Sequence, residues 1–183
     1  MDESTAGGTG CYNLHDRSWD APALRIAGIG PERLPELAPS THILRGLRPE
    51  AADRLGVATD TPVVLGAADG PLANLGGGAL EPGVAAMTIG TSGAVRVAVR
   101  RPAADPRGRL FCYPLAGDWW IAGGSVNSGG VVFRWLRDKL APDLAEGGGD
   151  AGYTRLVDLA MEAPPGADGL LFLPHLSGER APH

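Results

Sequence analysis

A single acid, Asp69, stands where an apolar run gives way to a helix-forming segment, and about twenty residues later the turn Gly90-Thr91-Ser92-Gly93 separates two further apolar runs. This order constrains the fold more than any other feature of the chain. The run Pro62 to Gly66 is short and continuously apolar, the pattern of a strand buried on both faces. Pro71 then opens a helix to about Gly77, and the triplet Gly76 to Gly78 weakens its end and suits close packing. Glu81-Pro82-Gly83 is a turn and a domain boundary. Ala85 to Ile89 and Ala94 to Val99 are expected to form a hairpin, with Val95, Val97 and Val99 on one face and Arg96 and Arg100 on the other. Strand, helix and hairpin in succession imply α/β layers.

Residues 1 to 60 read as a loop followed by short helices. Asp20 is placed to cap a helix over Ala21 to Ala27 that Gly28 ends. Pro31 opens a helix to Leu37, and Pro49 opens another to Leu55, stopped by Gly56. Downstream, Leu110 to Leu115 and Trp119 to Ala122 predict a second hairpin around Ala116-Gly117-Asp118. Ser128 is positioned to cap a helix from Gly129 to Leu140, with Val132, Trp135, Leu136 and Leu140 on its apolar face; Pro142 ends it. Gly147 to Gly149 read as a flexible link. Asp150 would cap a helix that turns Tyr153, Leu156, Val157 and Ala160 inward. Leu170 to Leu173 read as another strand.

The composition argues against several partners. The chain has 183 residues, enough for one sizeable core or two small domains. Its formal charge of -5 gives no general pull toward nucleic acid or anionic membrane. Asp105 interrupts Arg100, Arg101, Arg107 and Arg109, which read as a solvated loop. Cys11 and Cys112 lie far apart with no C-x-x-C, which suits neither a disulfide framework nor a zinc site. His15, His42, His175 and His183 lack metal-ligand spacing. The N-terminal stretch has neither the basic nor the apolar region of a signal peptide, and no apolar run is long enough to span a bilayer. A reducing cytoplasm is the expected compartment.

The chemistry centres on Asp69. At a helix N-terminus, the macrodipole and free N–H groups favour its anion. Such a carboxylate can orient a hydroxyl and accept its proton during phosphoryl transfer. The competing reading is that Asp69 only caps its helix. In Gly90 to Gly93, glycines allow backbone N–H groups to converge and hydroxyls can donate to phosphate; an ordinary hairpin turn is the alternative. No G-K-[ST] follows, so this is not a Walker A loop. The segment Gly123 to Gly130 is either a flexible helix entry or a backbone edge for a purine or ribose. Glu179 and Arg180 form either an active-site pair or an exposed ion pair. Trp119, Trp120 and Trp135 suit core or hairpin packing better than a sugar platform.

Four motifs together, G-A-A-D-G-P-L-A-N-L-G, M-T-I-G-T-S-G-A-V-R, W-L-R-D and G-L-L-F-L-P-H-L-S-G-E-R-A-P-H, resemble the FGGY family of carbohydrate kinases in order and spacing. The stretches D-E-S-T-A-G-G-T-G-C-Y-N-L-H-D-R-S-W-D and L-P-E-L-A-P-S-T-H-I-L-R-G-L lean toward its gluconate kinase branch. The resemblance implies an α/β, actin-like ATPase fold, ribonuclease-H-like in its domains, with ATP and sugar in the cleft of the complete enzyme. It implies that residues 1–82 end the first domain and 83–183 begin the second. Asp69 falls on the family's catalytic base. Thr91, within Gly90, Thr91, Ser92 and Gly93, falls on a phosphate-binding loop, and Gly130 and Arg134 on helix-start positions near the nucleotide. Gly169 to His183 falls on a signature segment of the second domain.

The resemblance further implies ATP and Mg2+, a small sugar or sugar-acid substrate, no nucleic-acid or membrane partner, and room for a homodimer of the complete enzyme. The family's D-x-G-T-type turn, most of its sugar pocket and its glycine-rich adenosine motif have no counterpart here. The chain therefore reads as the middle of a kinase, with apolar faces and a sheet edge left open. Two alternatives stay open: a non-catalytic remnant or partner-binding module, and a kinase for another sugar such as xylulose or glycerol.

Overall fold

The computed structural model describes residues 1–144, 150–175 and 178–181. The expected Gly147 to Gly149 link, and four residues of the Gly169 to His183 segment, lie outside them. The chain forms two compact units, Met1–Ala86 with Arg96–Gly123, and Met87–Val95 with Gly124–His183.

The first unit opens with a helix where the sequence predicts a loop. Asp2 caps α1 (Glu3–Gly7), its carboxylate accepting the Thr5 N–H at 3.0 Å. The short strands β1 (Tyr12–Asn13) and β2 (Ser18–Trp19) pair antiparallel. Buried Glu3 accepts from the Tyr12 hydroxyl at 3.2 Å and from Arg17 Nε at 3.0 Å. Burial, followed by the Glu3 charge, pushes the Tyr12 phenol up from 10.0 to about 12. The folded state therefore favours the protonated phenol. Its contribution to stability is complete below pH 10 and is lost as pH rises from 10 toward 12. Melting midpoints across that window should fall in the wild type, with a shallower fall for Tyr12→Phe.

Local signals explain the next helices. Asp20 accepts the Ala23 N–H at 2.8 Å to cap α2 (Ala21–Ala27), which left-handed Gly28 closes. Pro49 opens α3 (Pro49–Leu55), which Gly56 closes with a φ of 66°. Between them the predicted helix from Pro31 to Leu37 shrinks to a 3-10 turn over Pro31–Arg33. Leu34 is extended because the ring of Pro35 excludes helical backbone before it. The segments β3 (Ile43–Leu44) and β4 (Val63–Val64) form a two-residue antiparallel ladder. Both Val63 and Val64 are exposed, which corrects the expectation of a strand buried on both faces. An apolar run suits a central strand, but burial depends on neighbours that no run encodes.

The helix α4 (Asp69–Gly76) follows. The strands β5 (Ala85–Ile89), β6 (Gly93–Val99), β7 (Phe111–Ala116) and β8 (Trp119–Val126) form a sheet in the order β5-β6-β8-β7. Strands β7 and β8 pair antiparallel with an irregularity between Pro114 and Ala116. Cys112, Trp120 and Ala122 form a buried cluster, packed by Leu14, Val99 and Ala103. Trp120 thus belongs to the core, while Trp119 carries the Arg100 guanidinium 3.4 Å from its ring centroid.

In β6 a charged residue is buried between two exposed valines. Arg96 is 8% exposed, whereas Val95 and Val97 are exposed at 44% and 37%. The covered face is the one carrying Asn74 of α4, whose Oδ1 accepts from Arg96 Nε at 3.2 Å and whose Nδ2 donates to the Ala79 carbonyl at 3.3 Å. Alternation fixes which residues share a face, and the neighbour decides which face is inside. Replacing Asn74 by Leu removes these bonds, and a third from Nδ2 to the Arg96 carbonyl at 3.5 Å, at a fully buried position, so stability should fall by about 2 kcal/mol. The urea midpoint of the variant checks this.

In the second unit, α5 (Gly130–Trp135) runs into a π-helical turn over Leu136–Leu140 and stops before Pro142. Gly129, not Ser128, is its N-cap, and no side chain caps it. Asp150 occupies the N-cap position of α6 (Ala151–Met161) without a side-chain capping bond. Tyr153 and Leu156 are half-buried, whereas Val157 and Ala160 are exposed, against expectation. Leu170 to Leu173 form no strand: among the described residues they have no ladder partner, and all four are more than half exposed. Phe172 instead stacks on Trp135 at 6.2 Å.

Candidate functional site

Asp69 lies in the first unit and is the first residue of α4, with Ala68 as the N-cap. The capping reading therefore does not describe it. Its Oδ1 accepts the N–H of adjacent Gly70 at 2.8 Å, and its Oδ2 has no protein partner among the described residues. The macrodipole of the helix favours the anion at this end. Ser4 fixes the approach to Asp69, since its hydroxyl accepts the Ala68 N–H at 2.6 Å and donates to Asp2. A cavity of about 340 Å³ is lined by Asp69, Gly70, Ser4, Thr5, Thr9 and Tyr113, among others. Sequence reasoning missed the α1 contribution to this cavity. The available signal was Asp2 as a cap three residues ahead of Thr5.

The remaining predicted residues lie in the second unit. Three glycine N–H groups are committed to backbone: Gly90 to Ser92 O at 2.8 Å, Gly129 to Thr91 O at 3.1 Å, and Gly130 to Gly90 O at 2.7 Å. The turn is thus clasped to the start of α5, and its glycine donors do not converge outward as the sequence predicts. The N–H and hydroxyl groups of Thr91 and Ser92 keep no protein partner among the described residues. Arg134 is exposed and likewise unpartnered among them. Gly90, Thr91, Gly130 and Arg134 share a cavity of about 230 Å³ with Val131 and Tyr153. Gly93 lines a separate apolar cavity of about 360 Å³ with Met87, Ile89 and Val126. Amide N–H, hydroxyl and guanidinium groups together form a donor set that suits a phosphate.

Glu179 makes neither of the pairs expected of it. Its carboxylate accepts the N–H of Asn127, of Ser128 at 3.4 Å and of Arg180 at 2.9 Å. The Arg180 guanidinium donates instead to the Val126 carbonyl at 3.4 Å. Partial burial raises the Glu179 carboxyl, but these N–H donors and the charge of His175 outweigh it and hold the group below its ordinary value.

Among the described residues, no three of His, Cys, Asp and Glu come together to hold a metal ion. Magnesium is commonly held by one or two carboxylates together with substrate phosphates rather than by a protein cage. No helix among the described residues is long and apolar enough to cross a membrane.

Comparison with known proteins places the chain in a family. Residues 1–76 match the model of the FGGY carbohydrate kinase N-terminal domain, and residues 85–183 match that of the C-terminal domain. The chain is 48% identical to the gluconokinase of Bacillus subtilis, over 100% of this chain and 36% of that protein. It superposes on a gluconate kinase from Lactobacillus acidophilus with a TM-score of 0.86 and 40% identity, covering 100% of this chain and 36% of the other. A ligand-bound xylulose kinase from the same organism gives 0.86 and 39% at the same coverage. The chain thus spans about a third of the length of the relatives it matches. With an actin-like fold represented in part, it belongs to the FGGY family of carbohydrate kinases.

Proposed function

We propose that this chain is the central portion of an ATP-dependent gluconate kinase, residues 1–82 completing the first domain and 83–183 opening the second. Asp69 Oδ2 takes the proton from the terminal hydroxyl of gluconate. That oxygen forms a bond to the γ-phosphorus of ATP, the bond to the β-phosphate bridging oxygen breaks, and 6-phosphogluconate and ADP leave. Thr91 and Ser92 donate to the transferred phosphoryl group, and Arg134 offsets the negative charge of the nucleotide phosphates.

The observation that carries this reading is the half-committed carboxylate of Asp69. One oxygen is anchored to Gly70 and the other is uncommitted beside a cavity lined by polar side chains. Identities of 48% and 47% to two gluconokinases, over the whole of this chain and 36% of each of them, support the substrate.

ADP release by a kinase of full family length built on this chain tests the reading, with gluconate, xylulose and glycerol as acceptors. Gluconate should give the highest kcat/KM. A preference for either other acceptor would overturn the substrate and leave the kinase. Absence of sugar-dependent ADP release with all acceptors would overturn the kinase.

A further inference from the structure

We infer that Glu179 is a positioning residue for the phosphate turn: by holding the backbone of Asn127 and Ser128 it sets the clasp between Gly129-Gly130 and Gly90-Thr91. This rests on the reading of Gly90 to Gly93 as a phosphate site. The connection is short and continuous. The Glu179 carboxylate accepts the N–H groups of Asn127 and Ser128. The next two residues donate their own N–H groups to Thr91 O at 3.1 Å and Gly90 O at 2.7 Å.

Neighbouring bonds keep Glu179 in place. Arg180 donates to the Val126 carbonyl at 3.4 Å, Ala181 N–H donates to Ser125 O at 3.2 Å, and Asn127 Nδ2 reaches the Gly178 carbonyl at 3.5 Å. The segment 178–181 thus lies along 125–128 with the carboxylate at the end of the ladder. A glycine-rich stretch has little intrinsic preference for one backbone conformation. An ionised acceptor that takes two successive N–H groups supplies the restraint that Gly123 to Gly130 lacks. Charge-assisted bonds of this kind are stronger than neutral ones. The same donors hold the Glu179 carboxyl below its ordinary value, as expected for a group needed as its anion.

The test uses a kinase of full family length carrying this chain. Glu179→Gln keeps the shape but replaces one acceptor oxygen with a donor, which then faces a backbone N–H. ATP affinity should fall about tenfold, amide exchange at residues 127–130 should accelerate, and the KM for sugar should stay unchanged. Glu179→Asp retains the charge and should recover part of both effects, which a general loss of folding would not produce. Unchanged ATP affinity in Glu179→Gln overturns the proposal, whether or not exchange accelerates. Should Glu179→Gln fail to fold, ATP affinity and exchange in Glu179→Asp equal to wild type would overturn it equally. Wild-type protein that binds no ATP removes the phosphate reading itself and the proposal with it, a result visible without any variant.

Discussion

Replacing Asp69 by Asn should lower kcat by about 10²- to 10⁴-fold in a kinase of full family length built on this chain, while ATP affinity stays unchanged. Asn preserves the volume and the acceptor for the Gly70 N–H, so α4 should begin where it does now. What disappears is an oxygen able to take a proton. The hydroxyl must then lose its proton to water, or attack while still carrying it, and both routes raise the barrier. Thr91, Ser92 and Arg134, the proposed nucleotide donors, belong to the other unit and are not altered. Initial rates with saturating sugar, alongside direct nucleotide titration, separate the two effects. Wild-type turnover in the variant would sink the assignment of Asp69. Parallel loss of ATP binding would reassign Asp69 to a structural role.

Features set by contacts a few residues apart were legible in the sequence. Asp20 with Gly28, and Pro49 with Gly56, mark their helices because capping and left-handed closure involve only the residues at each end. The sheet hairpins were legible for the same reason. The failure at Pro31 to Leu37 was also local: Pro35 carried the opposing signal, and the opening proline was weighed without it. Val63-Val64 and Leu170 to Leu173 differ in kind. Their apolar character asks for cover, and no local pattern states whether the chain supplies it. Arg96 shows the same limit from the other side, since its burial depends on an amide 22 positions away.

The candidate site divides along this line. Asp69 was legible as a residue type at a strand-to-helix junction, and the turn as a glycine pattern. Which groups of the turn stay available was not legible. Gly90, Gly129 and Gly130 use their N–H groups on the carbonyls of Ser92, Thr91 and Gly90, while the donors of Thr91, Ser92 and Arg134 stay uncommitted among the described residues. Glu179 lies 51 positions from Ser128, so its role emerged only from the folded backbone.

That mutual clasp leaves no room for a side chain at Gly129. A Cβ there would sit 2.6 Å from the carbonyl carbon and oxygen of Ser92 and 2.8 Å from Gly90 O. All three are backbone atoms, so no rotamer change relieves the clash and the two segments must separate. Separation breaks the bonds from Gly129 to Thr91 and from Gly130 to Gly90 and displaces the donors of Thr91 and Ser92. Gly129→Ala should therefore weaken ATP binding by about 10- to 100-fold, the equivalent of the strain that overpacking imposes. Gly76→Ala is the matched control. It adds the same methyl inside α4, where nothing lies within 4 Å, and should leave ATP binding intact while raising stability by about 0.5–1 kcal/mol. Nucleotide titration of both variants, with melting curves alongside, decides the matter. If Gly129→Ala binds ATP as the wild type does, the Gly90 to Gly93 turn is not where the phosphates sit. If both variants lose binding equally, the effect is one of folding and not of the turn.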